Sequence, residues 1–301
     1  MTVIIRAYRD SDLDRLFHHW TEVGREIPHV FSVSPQRWRR CLLEDQLDGH
    51  LIFRSLETYL AAADDKVLGF IQWGQPTVAW DERGQPHLNP HIGVIRHLSF
   101  KRGRPDVGEA LLAAADGFTA RFDRAHAFYH ILGMSCNAHH GKLHCSQFHV
   151  EGPLRARGFE VEHENAYYVL DMTGTPPPAN SRLRLRAKPH SDDQRFVMQL
   201  GERRIGAAHV RYLDRLTDGY TRDTAYLSWI SVDEPHRGKG FGTELLMLLV
   251  QRLLGKGYRY LHTDTAAGNY RARRFYGKLG FRQAGLTRSY VRLQKQESSA
   301  P

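Results

Sequence analysis

The run His236-Arg237-Gly238-Lys239-Gly240-Phe241-Gly242 constrains this chain most. An apolar run from Tyr226 to Val232 leads into it, and residues 243–250 lead out with helical spacing. A strand, a glycine-rich turn and a helix in that order specify an α/β chain and build an anion site. Glycines let a ligand approach the backbone closely, and unsatisfied N–H groups at the helix start point at it. Phosphate is the expected guest.

At 301 residues, with 41% hydrophobic and 25% charged residues, the chain is long enough for two domains with cores of their own. No apolar run approaches the length of a membrane span, and the first residues do not read as a signal peptide. Cys41, Cys136 and Cys145 are too few and too scattered for a disulfide framework, so a reducing cytoplasm is expected. The net charge of +9 is unevenly placed. From Ser181 onward there are 23 Lys and Arg against 11 Asp and Glu, whereas residues 1–180 carry 19 against 22. The excess alternates along predicted strands, as in Arg182-Leu183-Arg184-Leu185-Arg186, and does not form stripes interleaved with aromatics. That pattern favours an anionic small ligand and argues against nucleic acid.

The proline-rich stretch 173–180 has no periodicity and predicts an extended linker between lobes at 1–172 and 181–295, with 296–301 as a flexible tail. The first lobe predicts a strand at 3–7, helices after Asp10 and at 35–47, and strands at 58–63 and 66–73. A loop over 74–90, a strand at 94–100, a helix at 108–122 and a strand at 127–134 follow. A last helix ends near Gly158-Phe159, and a strand at 167–170 closes the lobe. The second lobe predicts strands at 195–200, 204–212 and 226–232, the glycine turn and its helix, and a strand at 260–265. A helix at 270–279 and a strand at 289–293 complete it. It lacks the early helix pair. Lys278-Leu279-Gly280-Phe281 matches Ala156-Arg157-Gly158-Phe159, which suggests a duplicated unit.

Two motifs in order carry a resemblance. Arg237-Gly238-Lys239-Gly240-Phe241-Gly242 has the pattern Arg/Gln-x-x-Gly-x-Gly/Ala. Asn269, Ala272, Phe275, Tyr276, Gly280 and Phe281 fill Asn-x-x-Ala-x-x-Phe-Tyr-x-x-x-Gly-Phe. The chain thereby resembles the GNAT acyltransferases, clearly over about residues 195–295 and in outline over the first half. The resemblance implies two tandem GNAT-like lobes, each a mixed, mostly antiparallel sheet flanked by helices. It implies that the amides of Gly238, Lys239, Gly240, Phe241 and Gly242, with the Thr243 hydroxyl, hold the pyrophosphate of acetyl-CoA, with charge from Arg237 and Lys239. It implies that Ile230, Ser231 and Val232 face the pantetheine arm, that Asn269 ties the helix start to that arm, and that Tyr276 protonates the leaving thiolate.

A base for the acceptor amine has two carboxylate candidates, Asp223 before the fourth strand and Asp264 on the fifth. His262 alternates with Asp264, and Tyr226 and Ser228 are placed to order a water. In the first lobe the equivalent turn is degraded: Pro105 deletes an amide and Asp106 puts negative charge where phosphate would sit. Leu154 stands where Tyr276 does, and Gln147 where Asn269 does. A structural or acceptor-shaping lobe follows, with residual CoA binding left open by Arg102 and Arg104. The run from Cys136 to Cys145, with His139, His140 and His144, has metal-ligand residue types, but its spacing matches no zinc module, and no metal is expected.

The expected reaction is transfer of an acetyl group from acetyl-CoA to a primary amine, on a small molecule or a peptide, by direct attack in a ternary complex. The acceptor pocket is expected between the lobes. The alternatives are a non-catalytic acyl-CoA-sensing protein and, because the tandem arrangement also resembles them, a small-molecule acetyltransferase like the mycothiol synthases.

Overall fold

Two segments with the same order of apolar runs fold into two lobes of one sheet. The structure, a computed structural model, describes all residues except 1, 44–45, 48–49, 81–84, 131, 135, 137–140, 176–182, 190–193 and 294–301. Most of the expected linker and all of the expected tail at 296–301 lie outside the described residues.

The first half contains β1 (Ile4–Ala7), α1 (Leu13–Gly24), α2 (Pro35–Leu43), the short pair β2 (Gln46–Leu47) and β3 (His50–Leu51), β4 (Phe53–Ala63) and β5 (Lys66–Pro76). A small hairpin, β6 (Val78–Trp80) and β7 (Pro86–Leu88), precedes β8 (Gly93–Phe100), α3 (Pro105–Thr119) and β9 (Arg124–Ala127). Then come β10 (Leu143–His144), α4 (Phe148–Ala156) and β11 (Glu160–Asp171). The second half contains β12 (Leu183–Pro189), β13 (Gln194–Leu200), β14 (Arg203–Tyr212), α5 (Leu213–Leu216) and β15 (Thr224–Val232). It ends with α6 (Phe241–Leu254), β16 (Tyr260–Ala266), α7 (Tyr270–Lys278) and β17 (Arg282–Leu293). None of the helices is long and apolar enough to cross a membrane, among the described residues.

The main sheet runs β1-β4-β5-β8-β9-β17-β11-β16-β15-β14-β13-β12, with β10 attached to β17. The closing strands are exchanged. β11, which follows the first lobe's last helix, pairs with β16 of the second lobe, and β17 pairs with β9 of the first. The two closing strands also pair with each other, from Glu160 opposite Val291 to Val169 opposite Arg282. Alternation along them sorts their side chains. Ala166, Tyr168 and Leu170 join the second lobe's core with Leu227, Leu249 and Tyr276, while Tyr290 joins the first lobe's core with Leu111 and Leu154. Each lobe's apolar core is therefore completed by the other half's last strand.

Several predicted bounds move. The strand expected at 127–134 is Arg124–Ala127, because Phe128 adopts a positive φ of 54° and turns the chain out of the sheet. The closing strands are much longer than 167–170 and 289–293, because each has a partner on both edges. The loop over 74–90 contains a hairpin. The repeated Gly-Phe turn is real geometry: Phe159 N–H donates to Leu154 O at 3.2 Å and Phe281 N–H to Tyr276 O at 3.2 Å, with Gly158 and Gly280 at φ 77° and 85°.

Candidate active site

The glycine turn opens α6. Gly238 and Gly240 have φ of 76° and 85°, a left-handed backbone that costs a residue with a side chain about 1 kcal/mol or more. A Cβ at either would meet nothing within 4 Å, so the space beside both glycines is open. The first helical amide with a backbone acceptor outside the helix is that of Glu244, which donates to Gly240 O. Among the described residues the amides from Gly238 to Thr243 have no acceptor, the condition for an anion cradle. Arg237 Nε donates to Val232 O at 2.9 Å and Lys239 Nζ to Pro235 O at 3.0 Å, which holds both cations beside the turn.

Strand β15 leads into this turn, and it parts from its parallel neighbour. Pairing with β16 runs only from Thr224 opposite Tyr260 to Leu227 opposite Thr263. Beyond that, Ile230, Ser231 and Val232 pair with Ala208, Ala207 and Gly206 of β14 on one edge and have no ladder on the other. An irregularity opposite His209 and Val210 accompanies the divergence. At the fork, Thr263 Oγ1 donates to Leu227 O at 2.9 Å, so a side chain takes over where the ladder stops.

Successive residues of β16 point to opposite faces and put two chemistries on either side of the fork. Thr263 faces α7, where Tyr276 is buried at 5% exposure among Tyr168, Phe275 and Phe281. Burial raises the Tyr276 pKa, and a hydrogen bond with Thr263 partly offsets it. Asn269 caps α7, its Oδ1 accepting from Ala272 N–H at 3.1 Å. Asp264, on the other face, is half-buried; its Oδ1 accepts from Tyr226 Oη at 2.6 Å, and its Oδ2 from Asn165 Nδ2. His262 shares that face, within 2.8 Å of Tyr167 Oη, and burial lowers its pKa to about 4.

The structure does not bring Asp223 to the fork. It precedes β15, its carbonyl accepting from the Arg259 and Tyr260 amides at the opposite end of the strand pair. At about 3.3 Å per residue, that end lies roughly 16 Å from the level of Asp264.

Four residues at this site carry no local signal. Asn165 and Tyr167 come from the exchanged strand β11. Lys142, at 4% exposure, donates to Asn165 Oδ1 at 2.9 Å. Phe31, between α1 and α2, packs with Tyr167, Leu213 and Tyr226 and lies 5.4 Å from the His262 ring. Thr221 Oγ1 donates to Ser32 O at 2.9 Å and Ser34 Oγ to Asp218 at 2.6 Å, so the first lobe's helix pair sits on the second lobe. A cleft of about 440 Å³ opens there, lined by Phe17, Trp20, Val33, Phe31 and Tyr220.

The degraded turn of the first lobe is occupied by its own side chains. Arg104 forms a two-pronged pair with Asp106, Arg102 donates to Ser146 O, and Lys101 pairs with Glu22. The Phe100 ring fills the space beside Gly108. Of the Cys and His run, residues 137–140 lie outside the described residues. His144 caps the turn before α4 and contacts Ala284 O, while Cys145 Sγ accepts from Leu286 N–H.

A mixed sheet thus parts between two parallel strands, with a glycine-turned helix at the mouth of the fork. Residues 162–281 match the model of the Acetyltransferase (GNAT) family. That segment begins on β11, which the exchange makes part of the second lobe's sheet. No curated protein sequence matches the chain. Among solved structures, the chain is similar to a tandem GNAT protein from the clavulanic acid biosynthesis pathway, with TM-score 0.63, 11% identity, and coverage of 99% of this chain and 100% of that one. A GCN5-related N-acetyltransferase from Sphaerobacter thermophilus gives TM-score 0.62 at 12% identity, covering 97% and 95%. A fungal multi-domain GH3 β-N-acetylglucosaminidase with a GCN5-related glucosamine N-acetyltransferase region gives TM-score 0.65 at 13% identity; the match covers 96% of this chain and 38% of that one. At these identities the likeness is one of fold.

Proposed function

We propose that the second lobe transfers an acetyl group from acetyl-CoA to a primary amine by direct attack. The observation that carries this reading is the fork itself, with open amides from Gly238 to Thr243 at its mouth and Tyr276 and Asp264 on opposite faces of β16. The turn, with Arg237 and Lys239, suits the pyrophosphate; the unpaired edge of Ile230, Ser231 and Val232, and Asn269 at the start of α7, suit the pantetheine arm.

The amine nitrogen bonds to the thioester carbonyl carbon as the carbon–sulfur bond breaks. The nitrogen's proton passes to Asp264, and the sulfur takes a proton from Tyr276. Burial raises the pKa of that phenol, so it is protonated at neutral pH and available as a donor. Proton return from Asp264 to Tyr276 through solvent closes the cycle. The acceptor enters on the Asp264 face, where the first lobe's Phe31 and the second lobe's Tyr220 border the cleft. The exposed Trp229, with His209 against it at 5.1 Å, offers a further flat surface beside the fork.

The test is thiol release from acetyl-CoA with a polyamine, an amino sugar, an amino acid and a short peptide as acceptors. Acceptor-dependent release that Asp264→Asn lowers by about 10²-fold or more supports the reading. Tight acetyl-CoA binding without turnover of any amine would make the chain an acyl-CoA sensor.

A further inference from the structure

We propose that Lys142, contributed by the first lobe, is a positioning residue that orients the Asn165 amide and through it holds Asp264 for proton transfer. The proposal rests on the reading of Asp264 as the base. An ammonium group has three donors and no acceptor. Its bond to Asn165 Oδ1 therefore decides which end of the amide faces which neighbour: oxygen toward Lys142, NH₂ toward Asp264. A reversed amide would set its oxygen against the carboxylate and its NH₂ against the ammonium. Tyr226 then completes the set by donating to the other carboxylate oxygen. The line of bonds runs from a first-lobe side chain, through the exchanged strand β11, to the second lobe's β16.

Stability does not account for the lysine. Lys142 is buried, its hydrogen-bond partner is a neutral amide, and among the described residues it forms no ion pair. A buried cation held that way costs free energy. Burial lowers its pKa from 10.5 to about 8, with Asp264 and Glu162 opposing the shift. The cation's cost is thus present below pH 8 and fades between about 8 and 10.5, where the unfolded chain still carries the proton. The titratable groups facing this region are Glu162 with its partner His126, and His29, His97 and His144 around the same small cavity. Around Asp264 they are Tyr226, Tyr167, His262 and Tyr276.

The experiment uses the full chain, acetyl-CoA and the fastest acceptor of the amine panel. Lys142→Met is expected to lower kcat about 10- to 100-fold, part of what a general base supplies, with KM for acetyl-CoA unchanged. Its Tm at pH 7 is expected to hold or rise. The wild-type kcat should fall as pH passes about 8, where the amine form can accept and the amide is free to reverse. That limb should vanish in Lys142→Met and move upward in Lys142→Arg, which keeps most of kcat. Asn165→Leu should match Lys142→Met, and the double variant should be no slower than either. Unchanged kcat in Lys142→Met, a kcat loss that follows a drop in Tm, or single losses that multiply in the double variant would each overturn the proposal. Asp264→Asn separates the two levels: full kcat there sinks the base itself, whereas a loss there with full kcat in Lys142→Met sinks only the positioning role.

Discussion

Thr263 donates its hydroxyl to the Leu227 carbonyl at the last paired position of β15 and β16. Both residues are about 1% exposed, so the bond is made out of water. Replacing the hydroxyl by a methyl of similar shape leaves a buried carbonyl unsatisfied at the point where the gap opens. Thr263→Val is expected to destabilise the fold by about 1–3 kcal/mol and to raise KM for acetyl-CoA. Urea unfolding and steady-state kinetics check both; a stable variant with unchanged KM would remove the bond from the account of the fork.

Tyr276 lies behind that fork, with three aromatic rings around it and a hydroxyl near Thr263. Tyr276→Phe keeps the packing and removes the proton. The expected outcome is a kcat about 10²-fold lower with acetyl-CoA affinity intact, read by thiol release and calorimetry. A kcat within twofold of wild type would show that the thiolate takes its proton elsewhere.

His262 is buried against Tyr167 and Phe31, and its folded pKa lies near 4, below the ordinary 6.5. Between those values the unfolded chain binds a proton that the folded chain does not. Stability from this residue is therefore full above pH 6.5 and lost as pH falls toward 4. Between pH 7 and pH 5 the loss amounts to about 2 kcal/mol. Because His19 and His97 shift the same way, the measurement is the difference between wild type and His262→Asn in urea titrations at both pH values. Equal acid sensitivity in the two proteins would contradict it.

The exchanged strands predict that the halves do not fold alone. Residues 1–172 lack β17 and the buried Tyr290, and residues 181–301 lack β11 with Tyr168 and Leu170. Each half expressed alone should show non-cooperative thermal unfolding by circular dichroism, and the two together should recover a cooperative transition. A cooperative transition in either half alone would mean that its core closes without the exchange.

Much of the second lobe was legible because its signals are local. The order of strand, glycine turn and helix at 226–250 depends on neighbouring residues, as do the cap at Asn269 and the helix-ending Gly280-Phe281. The decay of the first lobe's turn was legible for the same reason, since Pro105 and Asp106 act within one turn of helix. Asp264 was one of two carboxylate candidates in the sequence. Only strand register set Asp264 level with the fork and Asp223 at the far end of β15.

The sequence by itself determined the α/β elements, the repeated Gly-Phe turn and the strand–glycine turn–helix order, because each rests on contacts a few residues long. Tertiary structure alone decided the partners of β11 and β17. A backbone ladder is indifferent to which segment supplies the next strand, and side-chain fit makes the choice. That choice carries Asn165 and Tyr167 to Asp264 and His262, from about a hundred residues away in the chain. With them comes Lys142, so the first lobe, degraded at its own turn, reaches the site of the second.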